Sequence, residues 1–177
     1  MTGFKLGTGS RNRLQNVTRE LARVVERAIE ITEVDFSVVY GKRSAAEQAK
    51  LVEQGFSNTA NSRHLTGHAV DLVPWLGAGV DPYPRQKTPP GERAQKLRCF
   101  ELIAKAMFEA ADELGVPLQW GNDWNLDGIP TSRDPEERGN IADMPHFQIP
   151  WPYRVQAALD RADWRKQARL RGEEVIS

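Results

Sequence analysis

The sequence predicts an α+β fold, because helical and strand-like segments mix along the chain without the regular spacing of βαβ units. Long segments with apolar residues three and four positions apart indicate helices. Short β-branched or apolar runs that end at glycine or proline indicate strands. The chain has 177 residues, the length of one domain, so we expect residues 1–177 to form a single domain with a C-terminal helix.

The first half of the chain is predicted to contain two helices with a strand between them. Apolar periodicity over residues 16–31 indicates a helix with one apolar stripe. Residues 35–40 are β-branched and aromatic, which predicts a strand. Ser44 and Glu47 have the spacing of a capping box, so the second helix begins there, and Gly55 provides a left-handed stop.

The second half is predicted to contain strands and helices in an irregular order. Residues 68–73 read as a buried strand, which a loop rich in glycine and proline follows. An amphipathic pattern over residues 97–114 indicates a long helix, and residues 116–120 suggest another strand. Residues 146–149 suggest a last short strand, before prolines open a C-terminal helix at about residues 151–170.

Composition and charge argue against several classes of function. The formal net charge is zero and the pI is near 6.8, so the overall charge gives no reason to expect nucleic acid as a partner. No segment approaches the roughly 20 apolar residues that span a bilayer, so we expect no stable membrane insertion. Residues 1–13 lack the apolar run of a signal peptide, which predicts synthesis in the cytoplasm. The basic stretch 161–171 is interpreted as a solvated helix face.

The residues with metal-binding chemistry lie in two short polar segments, which together hold all three histidines of the chain. A catalytic zinc takes three nitrogen or oxygen ligands and keeps a fourth position for water. His64, Asp71 and His146 can supply such a set. If the strand is extended, His68 falls on the face opposite Asp71 and is poorly placed to join it.

Two other interpretations of these residues stay open. A helical pair of His64 and His68, one turn apart, would resemble part of the zincin motif, although Gly67 weakens a helix and no glutamate follows His64. Asp71 lies between apolar neighbours, where a carboxylate needs a metal or an ionic partner. A salt-bridged structural aspartate is therefore the alternative to a ligand.

The motif Ser-x-His-x-x-Gly-x-Ala-x-Asp over residues 62–71, followed by Asp-x-x-His over residues 143–146, resembles the zinc peptidase family that contains D-alanyl-D-alanine peptidases and phage endolysins. The resemblance extends from Leu14 to Phe147 and leaves out the C-terminal helix. It implies a small, mainly antiparallel sheet packed with helices, as in the hedgehog and D-alanyl-D-alanine peptidase fold.

This resemblance implies that His64, Asp71 and His146 bind Zn²⁺ and that Asp143 is the catalytic base. Zinc in such a site lowers the pKa of its bound water toward about 7 and polarises the scissile carbonyl. Asp143 would take the proton of the water and pass it to the leaving amine. The structural alternative for Asp143 is a turn cap or a contact that orients His146.

Five further positions are candidates for the site or for the scaffold. Arg43 follows a strand, where a guanidinium can reach a carboxylate or a developing oxyanion, and a matching arginine lies in the active site of the resembled family. Without that resemblance, an exposed solubilising arginine is as good an explanation. Gln48 and Ser62 match polar positions near the substrate, and either substrate contacts or scaffold hydrogen bonds explain them. Trp124, like Trp120, either walls the cleft or belongs to the core.

The side-chain length at Asp143 favours one activity. In the resembled family, aspartate at this position is typical of L-alanyl-D-glutamate endopeptidases, and glutamate of carboxypeptidases and dipeptidases. The resemblance thus implies a phage endolysin, expected to be a monomer, that reaches bacterial peptidoglycan after a separate membrane-disrupting protein releases it. The alternatives are a D-alanyl-D-alanine carboxypeptidase or dipeptidase, a bacterial cytosolic enzyme, and a non-catalytic, zinc-stabilised wall-binding module.

Overall fold

The computed structural model describes residues 3–128, 142–173 and 175. The helices are α1 (Thr8–Leu14), α2 (Arg19–Ile31), α3 (Ala45–Glu53), α4 (Pro90–Leu114) and α5 (Val155–Leu170). The strands are β1 (Phe36–Tyr40), β2 (Ala69–Pro74), β3 (Gln119–Trp120) and β4 (His146–Gln148). Short 3₁₀ turns cover Arg63–Thr66 and Pro152–Arg154.

The four strands form one antiparallel sheet in the order β1-β2-β4-β3. Both neighbours of β2, which lies inside the sheet, come from distant parts of the chain, and all six of its residues are buried. Helices and strands mix without a parallel βαβ unit among the described residues. The α+β prediction and the small antiparallel sheet are therefore confirmed.

The two faces of the sheet have different roles. Val70 and Leu72 of β2 point to the same face as Phe147 of β4 and Trp120 of β3, and all four side chains are at most 1% exposed. Helices α2 and α4 pack against each other, and α4 also packs against β2, so this face belongs to the core. The alternate residues, among them Asp71, point to the other face, which carries the polar site.

Most predicted elements are present, with shifted ends. The capping box of α3 is confirmed, because Ser44 Oγ accepts from the Glu47 amide at 3.2 Å and a Glu47 carboxylate oxygen accepts from the Ser44 amide at 2.7 Å. The strand predicted for residues 116–120 is wrong except for its last two residues. Gly115 ends α4 with φ +66°, and the Val116 amide still donates to the Ala111 carbonyl at 2.9 Å, so the chain is not yet extended there.

Helix α1 is absent from the sequence-based prediction, and α2 begins at Arg19, three residues later than the apolar pattern indicates. Helix α1 lies against β1, where the hydroxyl of Ser10 accepts a hydrogen bond from the Val38 amide at 3.1 Å. This contact satisfies one backbone amide of the edge strand, so α1 protects part of an edge that would otherwise be free to pair. Among the helices of the described residues, none combines the length and the apolar composition of a membrane span.

Helix α5 is fixed to α4 by a buried ionic cluster, so the interpretation of the basic stretch 161–171 as a solvated helix face does not hold at Arg165. Arg165 is 1% exposed, and its Nη2 and Nε donate to Asp112 of α4 at 2.8 and 3.2 Å. Arg169 donates to the same carboxylate at 2.8 Å. The Arg165 guanidinium also lies 4.3 Å from the ring centre of Phe108. The periodicity of α5 alone could not show this partner, because Asp112 is 53 residues away from Arg165.

We expect Asp112→Ala to lower the free energy of unfolding by about 3–5 kcal/mol, because it leaves the buried Arg165 without a counter-charge. Denaturant unfolding monitored by circular dichroism measures the change. The control is Asp163→Ala on α5, whose side chain is 79% exposed and 3.7 Å from Lys166; its effect should stay within about 0.5 kcal/mol. Equal effects of the two substitutions would contradict a stabilising role of the cluster.

Candidate metal centre

Three polar side chains converge on the site face of the sheet, and the local backbone explains how. His64 lies in the 3₁₀ turn that begins after Ser62, whose hydroxyl accepts from the His64 amide at 3.3 Å. Gly67 ends this turn with φ +72°, and a Cβ there would lie 2.5 Å from the Asn16 carbonyl, so only glycine fits. Asp71 of β2 lies directly opposite His146 of β4.

The ligand-type atoms of these residues form a nearly equilateral triangle. His64 Nε2 lies 3.1 Å from Asp71 Oδ1 and 3.2 Å from His146 Nδ1, and the latter two atoms are 3.1 Å apart. Three ligands about 2.0–2.1 Å from a tetrahedral metal ion would have edges of about 3.3 Å. All three residues are buried. The group therefore has the size and the donor types of a three-ligand metal site.

Hydrogen bonds from neighbouring groups orient two of the three residues. His64 Nδ1 lies 2.7 Å from the Gly41 carbonyl, which can only accept, so His64 carries its proton on Nδ1 and presents a lone pair from Nε2. A Cβ on Gly41 would lie 2.1 Å from the Arg13 carbonyl, so glycine is needed where the chain passes His64. Arg43 Nη2 donates to Asp71 Oδ2 and leaves Oδ1 facing the histidines.

The electrostatics of the triangle favour a cation. Burial alone would raise the pKa of Asp71, but its contacts with His146 and His64 outweigh burial and hold that pKa well below its usual range. Burial alone would lower the pKa of His146, but the hydrogen bond and charge of Asp71, together with the charge of Asp143, raise it. The site thus attracts positive charge at the point where the three side chains meet, which fits a bound metal ion.

Asp143 lies beside this group and is held by backbone pairing. Its amide donates to the Gly121 carbonyl at 2.7 Å, and the Gly121 amide donates to the His146 carbonyl at 2.8 Å. A Cβ on Gly121 would lie 2.4 Å from the Asp143 carbonyl oxygen, so this close approach requires glycine. Among the described residues, none hydrogen-bonds the Asp143 carboxylate, which therefore keeps its acceptors for a ligand.

The environment of the Asp143 carboxylate suits a proton acceptor. The residue is exposed on the cleft surface, yet the surrounding walls of the cleft partly desolvate its carboxyl group. This desolvation raises the pKa of Asp143, and the nearby charge of His146 opposes the shift. A carboxylate with a raised pKa is a stronger base than an ordinary surface aspartate.

The other predicted site residues divide between cleft and scaffold. Ser62 lines the cleft and caps the turn of His64. Gln48 is 1% exposed, and its amide nitrogen donates to Ser57 Oγ at 2.8 Å and to the Thr59 carbonyl at 2.7 Å. These contacts are scaffold contacts, so a substrate role for Gln48 stays a prediction. His68 stands apart from the triangle, with Nδ1 2.9 Å from Thr66 Oγ1.

The two tryptophans of the β3 region differ in position. Trp120 is completely buried, stacks on Phe147 at 6.1 Å between ring centres and donates to the Met144 carbonyl at 2.7 Å, so it belongs to the core. Trp124 lines the cleft, and its ring centre lies 5.7 Å from that of His146. Both alternatives considered for these residues are thus realised, one at each position.

His64, Asp71 and His146 lie in an open cleft of about 1280 Å³. This volume exceeds the roughly 300–1,000 Å³ that is usual for small-molecule sites, so a segment of a polymer fits better than a single metabolite. The sequence-based prediction missed several residues that line or support it. Tyr83 stands in the long loop after β2, and Gln148 lies two residues after His146 on β4. The strand period of two gives the only sequence signal for Gln148.

Comparison with known proteins connects this chain to one family. The model of the phage L-alanyl-D-glutamate peptidase family matches residues 2–149. The L-alanyl-D-glutamate peptidase of Escherichia phage T5 is 34% identical over 128 residues, which cover 71% of this chain and 85% of that protein. The crystal structure of the Serratia marcescens L-Ala D-Glu endopeptidase ChiX is similar with a TM-score of 0.63 and 32% identity, over 84% of this chain and 92% of that chain. The protein is therefore a peptidase that belongs to the phage L-alanyl-D-glutamate peptidase family.

Proposed function

We propose that this protein is a zinc-dependent endopeptidase that hydrolyses the L-alanyl-D-glutamate bond of bacterial peptidoglycan. The observation that carries the proposal is the triangle of His64, Asp71 and His146 beside the carboxylate of Asp143, which no described residue hydrogen-bonds, in a chain of this family. Two nitrogen ligands and one carboxylate oxygen are a common donor set of catalytic zinc. The two relatives, named L-alanyl-D-glutamate peptidase and L-Ala D-Glu endopeptidase, indicate the bond.

A zinc ion held by these residues would supply Lewis-acid polarisation of the scissile carbonyl and would lower the pKa of a water molecule toward about 7. Asp143 is the general base in this proposal, because it lines the cleft and accepts no hydrogen bond from the part of the chain that the structure describes. It takes the proton of the attacking water and returns it to the leaving amine of D-glutamate. The pairing of its backbone with Gly121 keeps the base at a fixed place relative to His146.

Arg43 has two tasks in the proposed mechanism. Through Nη2 it fixes the Asp71 carboxylate, so that one oxygen faces the histidines. Its Nε is buried and has no hydrogen-bond partner among the described residues. Its guanidinium lies 4.6 Å from the ring centre of Tyr40 and lines the cleft. A guanidinium charge at this place is suited to stabilise the oxyanion that develops on the scissile carbonyl.

We further propose that the protein is a phage endolysin that acts on the bacterial cell wall as a monomer. The relative from Escherichia phage T5 supports the lytic context. The large open cleft is consistent with a polymeric substrate that approaches from solvent.

The masses of the products test the bond that is cut. We expect digestion of purified peptidoglycan to release stem peptides with a new N-terminal D-glutamate and to leave L-alanine on the glycan. Mass spectrometry after dinitrophenyl labelling of new amines identifies both ends. Release of only D-alanine or of its dipeptide would instead establish a carboxypeptidase or dipeptidase, and absence of any product would favour a wall-binding module.

Removal of single ligands tests the metal site. Wild-type protein should hold one equivalent of zinc by elemental analysis, and His64→Ala, Asp71→Ala and His146→Ala should each lose it, because two remaining ligands bind zinc weakly. The control His68→Ala should keep its zinc, since His68 bonds to Thr66 and stands apart from the triangle. Stoichiometric zinc in His64→Ala would contradict the proposed ligand set.

Substitution of the proposed base separates catalysis from metal binding. Asp143→Asn should keep one equivalent of zinc and the thermal stability of the wild type, but its kcat should fall by about 10²–10⁴-fold, since an amide cannot take the proton. The matched control Asp163→Asn changes an exposed aspartate of α5 and should retain full activity. Wild-type turnover by Asp143→Asn would remove Asp143 as the base.

A further inference from the structure

A chain of side-chain hydrogen bonds leads away from His146 across two strands. His146 Nε2 lies 3.0 Å from Gln148 Oε1. Gln148 Nε2 donates to Gln119 Oε1 at 2.8 Å, and Gln119 Nε2 donates to the backbone carbonyl of Trp124 at 2.7 Å. Gln119 of β3 is directly opposite Gln148 of β4, so the register of the sheet places the two amides side by side.

The direction of this chain is fixed at the Trp124 carbonyl. A backbone carbonyl can only accept, so Gln119 must turn its NH₂ group toward it and its oxygen toward Gln148. Gln148 must then donate to Gln119 and turn its own oxygen toward His146. Reversing either amide would place two oxygens or two NH₂ groups against each other. His146 therefore has to carry a proton on Nε2.

This proton position decides which nitrogen of His146 is free. A neutral imidazole has one N–H and one lone pair, so a proton on Nε2 leaves the lone pair on Nδ1. Nδ1 is the atom that faces His64 and Asp71. With the opposite tautomer, an N–H would point into the centre of the triangle and would oppose a metal ion there.

Burial limits the access of water to the side chains of this hydrogen-bond chain. Gln119 is 2% exposed, Gln148 6% and His146 7%, so solvent offers few competing partners. His64 shows the contrast, because a backbone carbonyl fixes its tautomer directly and no side chain is needed. The tautomer of His146 is instead fixed through two glutamine side chains, so a substitution of either glutamine can release it.

We propose that Gln148 and Gln119 are positioning residues that hold the His146 proton on Nε2 and thereby keep Nδ1 as a zinc ligand. The inference rests on the proposed zinc site. It assigns a function to two buried polar residues that do not reach the triangle themselves. Outer partners of metal-binding histidines commonly change metal affinity by about 10–100-fold when they are removed.

The wild-type protein tests the proton position without any substitution. In zinc-loaded protein labelled with ¹⁵N-histidine, NMR should show a protected N–H on Nε2 of His146 and a coordinated Nδ1. A coordinated Nε2, or a proton on Nδ1, would overturn the inference while leaving the zinc enzyme intact. Failure of the wild type to bind zinc would overturn the proposed function as well, so the two failures are distinguishable.

Substitutions of Gln148 and Gln119 test their role in the hydrogen-bond chain. Competition with a chromogenic chelator should show zinc binding about 10–100-fold weaker in Gln148→Leu, with loss of the protected His146 N–H signal. Gln119→Leu should weaken zinc binding less than Gln148→Leu does. Gln148 is still present in this variant, but its amide group is no longer held in one orientation. Gln119→Glu should restore near wild-type affinity and the N–H signal, since either protonation state of the acid keeps an acceptor for Gln148.

The control for these variants is Gln156→Leu, which removes an exposed glutamine of α5 that donates to Asp160 at 2.9 Å. It should leave zinc affinity and the His146 spectrum unchanged. Zinc affinity of folded Gln148→Leu equal to that of the wild type would overturn the role of Gln148. Equal zinc affinities of Gln119→Leu and Gln119→Glu would overturn the role of Gln119.

Discussion

The pairing of β2 with β4 is the constraint on which the site depends. It places Asp71 directly opposite His146 although the two residues are 75 positions apart in the chain. Because side chains alternate along a strand, a slip of either strand by one residue would turn its site residue, Asp71 or His146, into the core and bring Val70 or Phe147 to the other face. The cost of exposing these two buried apolar residues protects the register, and so the hydrophobic core also protects the geometry of the polar face.

Much of the site could be predicted from the sequence because its information is local. The alternation of residues 68–73 separates Asp71 from the apolar side chains, and the capping box of α3 follows from two side chains three positions apart. The family resemblance supplied the residues around His146. Strand order and register were outside the reach of the local pattern, because they are set by contacts between distant segments. Strand β3 is shorter than the apolar run predicts for a related reason. Val116, the first residue of that run, still hydrogen-bonds to the end of α4.

Polar residues were harder to predict than apolar ones. Gln48 and Arg165 are both almost fully buried, and both look like surface residues in the sequence. What decides their position is a partner that lies elsewhere: Ser57 and Thr59 for Gln48, and Asp112 for Arg165. A buried polar group is tolerated only where its hydrogen bonds are satisfied. Whether these hydrogen bonds form depends on which residues surround the group in the folded protein, so no periodic pattern in the sequence predicts it.

The position of the ionic cluster between α4 and α5 has a consequence for how such enzymes can diversify. The family match ends at residue 149, but Trp151, Tyr153 and Arg154 still line the cleft. The proposed metal site and one part of the cleft rim therefore lie in separate stretches of the chain. Recombination downstream of residue 149 could exchange that rim between lineages without touching any proposed ligand. Such an exchange would give a stable protein only where the incoming helix carries arginines that pair with Asp112. This requirement would limit which C-terminal segments can be combined with the rest of the chain.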